Sequence, residues 1–63
     1  MNFTIRREDN GNYLINTQVI KKIVEKYING KSEIECCSKI IRVIKEVIED
    51  GRKILIVEVS DAN

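Results

Sequence analysis

The run between Gly30 and Gly51, GKSEIECCSKIIRVIKEVIEDG, constrains the fold of this chain more than any other segment. Nine apolar or thiol side chains fall within this one helix-length run, in a sequence of only 63 residues. A chain of this size makes one domain and buries only about 60% of the surface that its unfolded form exposes. Apolar surface that such a small domain cannot bury predicts association with another chain.

The same run predicts a helix over about residues 33–50. Ser32 and Glu35 form an S-x-x-E capping box at its start, and Gly51 marks its end. At about 100° per residue, the charged side chains and Ser38 fall on one half of this helix. The opposite half is apolar and comprises Ile34, Cys36, Cys37, Ile40, Ile41, Val43, Ile44, Val47 and Ile48.

A first helix is predicted over about residues 17–29, with Asn16 or Thr17 as its N-cap and Gly30 after its last turn. It is amphipathic, and the side that faces away from the core is rich in lysine. The apolar side comprises Val19, Ile20, Ile23, Val24, Tyr27 and Ile28.

The segment of about residues 3–16, FTIRREDNGNYLIN, predicts a β-hairpin around Asp9-Asn10-Gly11. A three-residue loop with Gly11 in the left-handed region at a bulge gives consistent faces, because it pairs Ile5 with Ile15 and Arg7 with Tyr13. That register places Phe3, Ile5, Tyr13 and Ile15 on one face.

A last strand is predicted over about residues 53–59 from its β-branched content. Leu55, Val57 and Val59 share one face and are expected to point inward. The sequence therefore predicts a single α+β domain over residues 1–63, of the order ββααβ, with two helices packed on one face of a three-stranded sheet.

This arrangement leaves apolar side chains without cover, on the far face of the sheet and along the rim of the second helix. Each large aliphatic side chain left in water forgoes roughly 1.5–3 kcal/mol. We therefore expect a partner-facing surface at the open sheet face, at the edge of the last strand or at the rim of the second helix around Cys36, Ile40 and Val43. The most economical partner is a second copy in a two-fold homodimer. Scattered exposed isoleucines without any function are the alternative. The residues expected to touch a partner are Leu14, Val43, Ile54 and Ile56.

The sequence offers little equipment for catalysis or for metal and cofactor binding. It contains no histidine, and its three glycines each have a turn or a helix end to explain them. Cys36 and Cys37 are adjacent, and on a helix they are expected to pack as small hydrophobic side chains rather than to bridge each other. A redox role, or a metal held by four thiolates across a dimer, is the alternative for them. We therefore predict no enzyme activity, no catalytic residue, no metal site and no cofactor.

Nucleic-acid binding is the alternative function, although the formal net charge is only +1. A positive helix and loop are expected from Lys21, Lys22, Lys26 and Lys31. The predicted order of strand, helix, INGKSE loop, helix and strand resembles the core of a bacterial-type KH domain, in which a G-x-x-G loop grips single-stranded RNA. Gly30 matches the first glycine of that loop, and Glu33 stands where the family has the second. The resemblance implies RNA binding in general and carries no functional residue over.

The function that these observations favour is that of a small, non-enzymatic protein-binding or regulatory module, such as an inhibitor or an accessory subunit. We expect a cytoplasmic location, because no run resembles the apolar core of a signal peptide or approaches the ~18 residues of a membrane span. Reduced cysteines fit that compartment.

Overall fold

The computed structural model describes residues 3–62 and shows a small α+β domain with one helix and a four-stranded mixed sheet. In chain order the elements are β1 (Phe3–Arg7), α1 (Thr17–Ile28), β2 (Glu33–Cys36), β3 (Lys39–Glu49) and β4 (Arg52–Asp61). The strands lie in the order β1-β4-β3-β2, with β1 parallel to β4 and the other neighbours antiparallel. The predicted α+β class is confirmed, whereas the ββααβ order with three strands and two helices is wrong.

The helix α1 lies where the sequence predicts the first helix. Its N-cap is Asn16, whose side-chain oxygen accepts hydrogen bonds from the backbone N–H groups of Gln18 and Val19 at 3.0 and 3.1 Å. This cap satisfies two of the N–H groups that have no partner inside the first turn. The apolar side of α1 covers one face of the sheet, where Ile23 is buried.

The predicted helix over residues 33–50 is wrong, because this segment forms two antiparallel strands, β2 and β3. The chain reverses at Cys37 and Ser38, whose φ angles of 57° and 63° lie in the left-handed region. Cys36 and Lys39 flank this two-residue turn and pair across it. Left-handed backbone at both central positions is typical of a type I′ hairpin, and it costs a residue other than glycine roughly 1–2 kcal/mol.

Composition and the pairing with β4 together favour strands here instead of a helix. Every apolar residue of β3 is isoleucine or valine, and side chains branched at Cβ fit a pleated sheet better than a helix. β3 pairs with β4 over ten residue positions, with a bulge between Val43 and Lys45. The bulge shifts the alternation of the strand by one residue, so that its apolar positions imitate the period of a helix.

Only the first arm of the hairpin predicted over residues 3–16 is a strand. The returning segment makes a single bridge, from Arg6 to Tyr13, so the predicted pairing of Ile5 with Ile15 is wrong. This one-residue shift turns Leu14 toward the core and leaves Ile15 88% exposed.

The strand β4 lies between β1 and β3 and is the most buried strand of the sheet. Leu55 and Val57 are fully buried beneath α1, together with Ile5, and Ile23 of the helix packs in the same cluster. Val59 packs partly buried against the same cluster, so the predicted inward face of the last strand is confirmed.

The opposite face of β4 is also covered, although no second layer lies over it in the described residues. Ile54 and Ile56 are each only 3% exposed. Arg6 and Lys45 flank Ile56 in the strand register, and the guanidinium of Arg6 reaches across β4 to Glu49 at 3.2 Å. The aliphatic stems of long charged side chains can cover apolar surface in this way. The predicted exposure of this face is therefore wrong.

Candidate functional site

The two edges of the sheet are formed by β1 and β2, and the edge at β1 is already occupied. The segment that returns after β1 lies along it, with the N–H of Arg7 donating to the carbonyl of Asn12 at 2.8 Å. One residue pair further, the N–H of Leu14 donates to the carbonyl of Ile5 at 2.9 Å. These bonds leave little of this edge for another chain.

The edge at β2 is open, since within residues 3–62 this strand pairs only with β3. The N–H of Val43 donates to the carbonyl of Ser32 at 2.7 Å, which fixes the alternation of the ladder. In an antiparallel pair, every second residue directs its N–H and C=O toward the neighbouring strand. Ile34 is therefore bonded to β3, and the backbone groups of Glu33 and Glu35 point outward.

An open groove of about 530 Å³ runs beside this edge, between α1 and β2. Of the described residues that line it, only Ile34 is apolar, and its side chain belongs to the buried cluster under the helix. The remaining lining is charged and comprises Lys22, Glu25, Lys26, Lys31, Glu33 and Glu35. The groove thus has an exposed strand backbone on one side and helix side chains on the other.

The charges of this groove contrast with those elsewhere on the molecule. In the described part of the chain, the ion pairs within 4.0 Å join Arg6 to Glu49, Arg7 to Asp9, Lys39 to Asp61, and Arg42 to Glu58. None of them involves a residue that lines the groove. Its three lysines and three glutamates are therefore held by no ion pair in residues 3–62 and can pair with charges of a ligand.

The four residues predicted to touch a partner do not form an exposed patch. Ile54 and Ile56 are buried in the sheet, and Leu14 and Val43 are half-buried against the core beneath α1. Val43 was expected on the rim of a second helix, but it faces Val57 across the β3–β4 ladder. A partner would have to meet other residues first.

The apolar side chains that are exposed are different ones, and sequence reasoning missed them. Among residues 3–62, the large ones are Tyr13, Ile15, Ile28, Ile44 and Ile48. Ile44 sits at the β3 bulge, where the alternation of the strand breaks. Ile15 is exposed because of the shifted register next to β1. Without the correct strand pairing, no sequence signal distinguishes these isoleucines from buried ones.

Of the four lysines predicted for nucleic-acid binding, the structure brings three to the groove. Lys22, Lys26 and Lys31 line it, whereas Lys21 does not. The same groove also contains three glutamates, which would repel a phosphate backbone. The KH-like order is wrong as well, because the loop after α1 leads into β2 rather than into a second helix.

Two thiols lie at the end of β2, in the turn that leads to β3. The Sγ atoms of Cys36 and Cys37 are 3.4 Å apart, with Cys37 exposed and Cys36 half-buried. The contact with the neighbouring thiol raises the pKa of Cys36, and burial adds to this effect. Both side chains are therefore close enough to act on the same atom.

Elsewhere, the hydroxyl of Tyr27 donates a hydrogen bond to a carboxylate oxygen of Glu46 at 2.8 Å. This bond raises the pKa of Tyr27, and burial acts in the same direction. It ties the end of α1 to β3 and contributes to the position of the helix over the sheet.

Among residues 3–62, no group of three or more histidine, cysteine or acidic side chains is arranged to hold a metal ion. In the same part of the chain, no helix has the length and apolar content that crossing a membrane requires.

No known protein family, no curated protein and no solved structure matches this chain.

Proposed function

We propose that this protein is a non-enzymatic binding module that takes up an extended segment of a partner protein as an additional strand beside β2. The observation that supports this most is the pair of outward backbone positions, Glu33 and Glu35, beside an open groove. Adding a strand to a free sheet edge is a common way to bind a peptide, since backbone hydrogen bonds supply affinity and side-chain pockets supply specificity. A cytoplasmic location is part of this proposal and fits the two cysteines in thiol form.

The side chains along β2 indicate which peptide would fit. Ile34 and Cys36 lie on the helix side of the sheet, so the side chains of Glu33 and Glu35 start from the opposite face and border the groove where it opens at the edge of the sheet. A residue directly across from a glutamate on a paired strand is stabilised when it is lysine or arginine. On the helix side, the next residue would meet Ile34 and an apolar side chain would suit it. The partner segment is therefore an extended peptide in which basic and apolar residues alternate.

A second copy of this chain fits the same edge less well. Pairing two β2 strands about a two-fold axis would bring Glu33 and Glu35 of both copies to one face. Like charges across neighbouring strands are destabilising, and β2 has only four residues with which to compensate. The homodimer predicted from the sequence is therefore the alternative occupant, and a different protein is the one that we propose.

Substitutions at Glu35 test strand addition directly. Glu35→Ala removes the carboxylate and keeps the backbone N–H, whereas Glu35→Pro removes both while sparing the bonds to β3. The probe is a fluorescent peptide of alternating lysine and valine, and its matched control has glutamate in place of lysine. Anisotropy should show binding of the basic peptide only, a several-fold weaker Kd for Glu35→Ala, and a further loss of about tenfold for Glu35→Pro.

Equal Kd values for Glu35→Ala and Glu35→Pro would contradict strand addition, because only the proline removes the outward donor. Sedimentation of the unliganded protein at micromolar concentration shows whether the chain is a monomer or a homodimer, and so tests whether a second copy occupies the edge. A dimer that dissociates on Glu35→Pro would mean that a second copy, rather than another protein, occupies the edge.

Single-stranded nucleic acid is the second candidate, favoured by the grouping of Lys22, Lys26 and Lys31 at one groove. A labelled RNA strand should then bind at 50 mM salt and lose affinity steeply at 200 mM, with each lysine-to-alanine variant reducing the slope by about one. Replacement of Glu33 and Glu35 by glutamine should strengthen RNA binding and weaken binding of the basic peptide. The two candidates therefore respond to one variant in opposite directions.

A further inference from the structure

We propose that Cys36 and Cys37 form a two-thiol chelation site for monosubstituted trivalent arsenicals. The site comprises the last residue of β2 and the first residue of the β2–β3 turn, and it involves no backbone group of the open edge. It is therefore independent of peptide binding, and its test does not require a partner.

The distance between the two sulfur atoms suits a centre that binds both thiols at nearly a right angle. With bonds to sulfur of ~2.3 Å, as in zinc thiolates, two sulfurs lie ~3.3 Å apart at a right-angled centre and ~3.8 Å apart at a tetrahedral one. The Sγ atoms of Cys36 and Cys37 are 3.4 Å apart. Trivalent arsenic is pyramidal, with bond angles near a right angle, so the pair needs little rearrangement to hold it.

The number of available protein ligands also favours a monosubstituted arsenical. Within residues 3–62, no further cysteine or acidic side chain joins the two thiols as a third ligand for a metal at this turn. A zinc ion would therefore lack the four-ligand shell that it takes in structural sites. A monosubstituted arsenical carries its third substituent with it and requires only two sulfurs, which are ligands that soft centres prefer.

The turn also allows the two thiols to react one after the other. Cys37 is exposed and can attack first, and Cys36 is half-buried beside it and closes the ring. The hydrated arsenical RAs(OH)₂ reacts with two thiols to give RAs(SR′)₂ and two molecules of water. Two As–O bonds break, two As–S bonds form, the thiol protons leave in the water, and arsenic remains trivalent.

Phenylarsine oxide is a suitable probe, with intact mass and the number of titratable thiols as readouts. We expect one adduct per chain, with both thiols protected together. The adduct should resist millimolar glutathione and be removed by 2,3-dimercaptopropanol, because only a dithiol can compete with a chelate. Release of the arsenical by glutathione alone would overturn the proposal.

The matched control moves one thiol by one residue. The double variant Cys37→Ser/Ser38→Cys keeps two thiols and the composition of the turn. It should hold the arsenical about 100-fold more weakly than the wild-type chain does. The single variants Cys36→Ser and Cys37→Ser should weaken binding by a similar factor. Equal retention by these variants, verified as folded by circular dichroism, would overturn the proposal. So would binding of zinc by the wild-type chain as tight as that of the arsenical.

Discussion

The two edge strands of the sheet, β1 and β2, solve the same physical problem in different ways. The outer backbone groups of β1 are satisfied by the returning segment around Asn12 and Leu14, whereas those of β2 face solvent. An unpaired edge invites aggregation, and short length and charged side chains are the usual protection. β2 has both, with four residues of which two are glutamate. Protection alone does not explain the groove beside it, whose charges form no ion pair in residues 3–62.

The largest expected effect is on the free energy of unfolding, and it compares how much one buried isoleucine of each edge strand contributes to stability. Ile5 of β1 is fully buried, and Ile34 of β2 is 8% exposed. Truncating a buried isoleucine to alanine costs about 2–5 kcal/mol, so we expect Ile5→Ala near ~4 kcal/mol and Ile34→Ala near ~2.5 kcal/mol. Urea denaturation followed by circular dichroism measures both.

A domain of this size has only ~3–9 kcal/mol of stability in total, so Ile5→Ala could leave too little folded protein to measure. The milder pair Ile5→Val and Ile34→Val keeps the comparison measurable, at ~1 kcal/mol or less each. A larger loss at Ile34 than at Ile5 would show that the open edge contributes more to the core than its burial indicates.

Hydrogen exchange tests the difference between the two edges at the backbone. The amide of Arg7 is bonded to Asn12, whereas the amide of Glu35 points away from the sheet. We expect Glu35 to exchange at least about tenfold faster than Arg7, relative to the rates of an unfolded chain. The amide of Ile34, bonded to β3, is the internal control. Slow exchange at Glu35 in the protein alone would mean that a second copy covers β2.

Much of the fold could be predicted from local signals. The cap at Asn16, the amphipathic period of α1 and the inward face of β4 each depend on a few neighbouring residues, and each prediction was correct within a residue or two. The prediction for residues 33–50 was wrong because the bulge at Ile44 made the period of a strand resemble that of a helix. The pairing with β4, which decides between the two, is not visible in the local sequence.

The candidate site could not be predicted for the same reason. An open edge exists only once β2 is known to be a strand at the border of the sheet, and the buried state of Ile54 depends on residues from β1 and β3. The signal that was available is the composition of the run, in which isoleucine and valine predominate. This β-branched content favours strands, but the apolar residues of α1 are also isoleucine and valine apart from Tyr27, so composition alone does not separate the two segments.

The two hairpin turns allow a smaller, reciprocal test. Asp50 and Gly51 form the β3–β4 turn with φ angles of 52° and 76°, and Ser38 takes a φ of 63° in the β2–β3 turn without being glycine. Ser38→Gly should stabilise the fold by ~0.5–1 kcal/mol, because glycine adopts this conformation without steric cost. Gly51→Ser should destabilise it by a similar amount. Denaturation midpoints that move in the same direction in both variants would contradict the turn assignment.

The smallest expected effect concerns pH, and it compares Asp9 in the loop beside β1 with Asp61 at the end of β4. A hydrogen bond to Arg7 lowers the pKa of Asp9, and one to Lys39 lowers that of Asp61. A carboxyl whose folded pKa lies below its ordinary value of 3.8 stabilises the fold above that pH. This contribution is lost as the pH falls through the lowered pKa.

Replacing Asp9 by asparagine should therefore reduce the fall in melting temperature between pH 7 and pH 2.5, although only slightly, since both groups are exposed. Asp61→Asn should have an effect in the same direction and of similar small size, because a hydrogen bond from a cationic side chain is the main cause of the lowered pKa at both groups. A larger change for Asp61→Asn would mean that the end of β4, rather than the loop that covers β1, contributes most to the acid sensitivity of the fold.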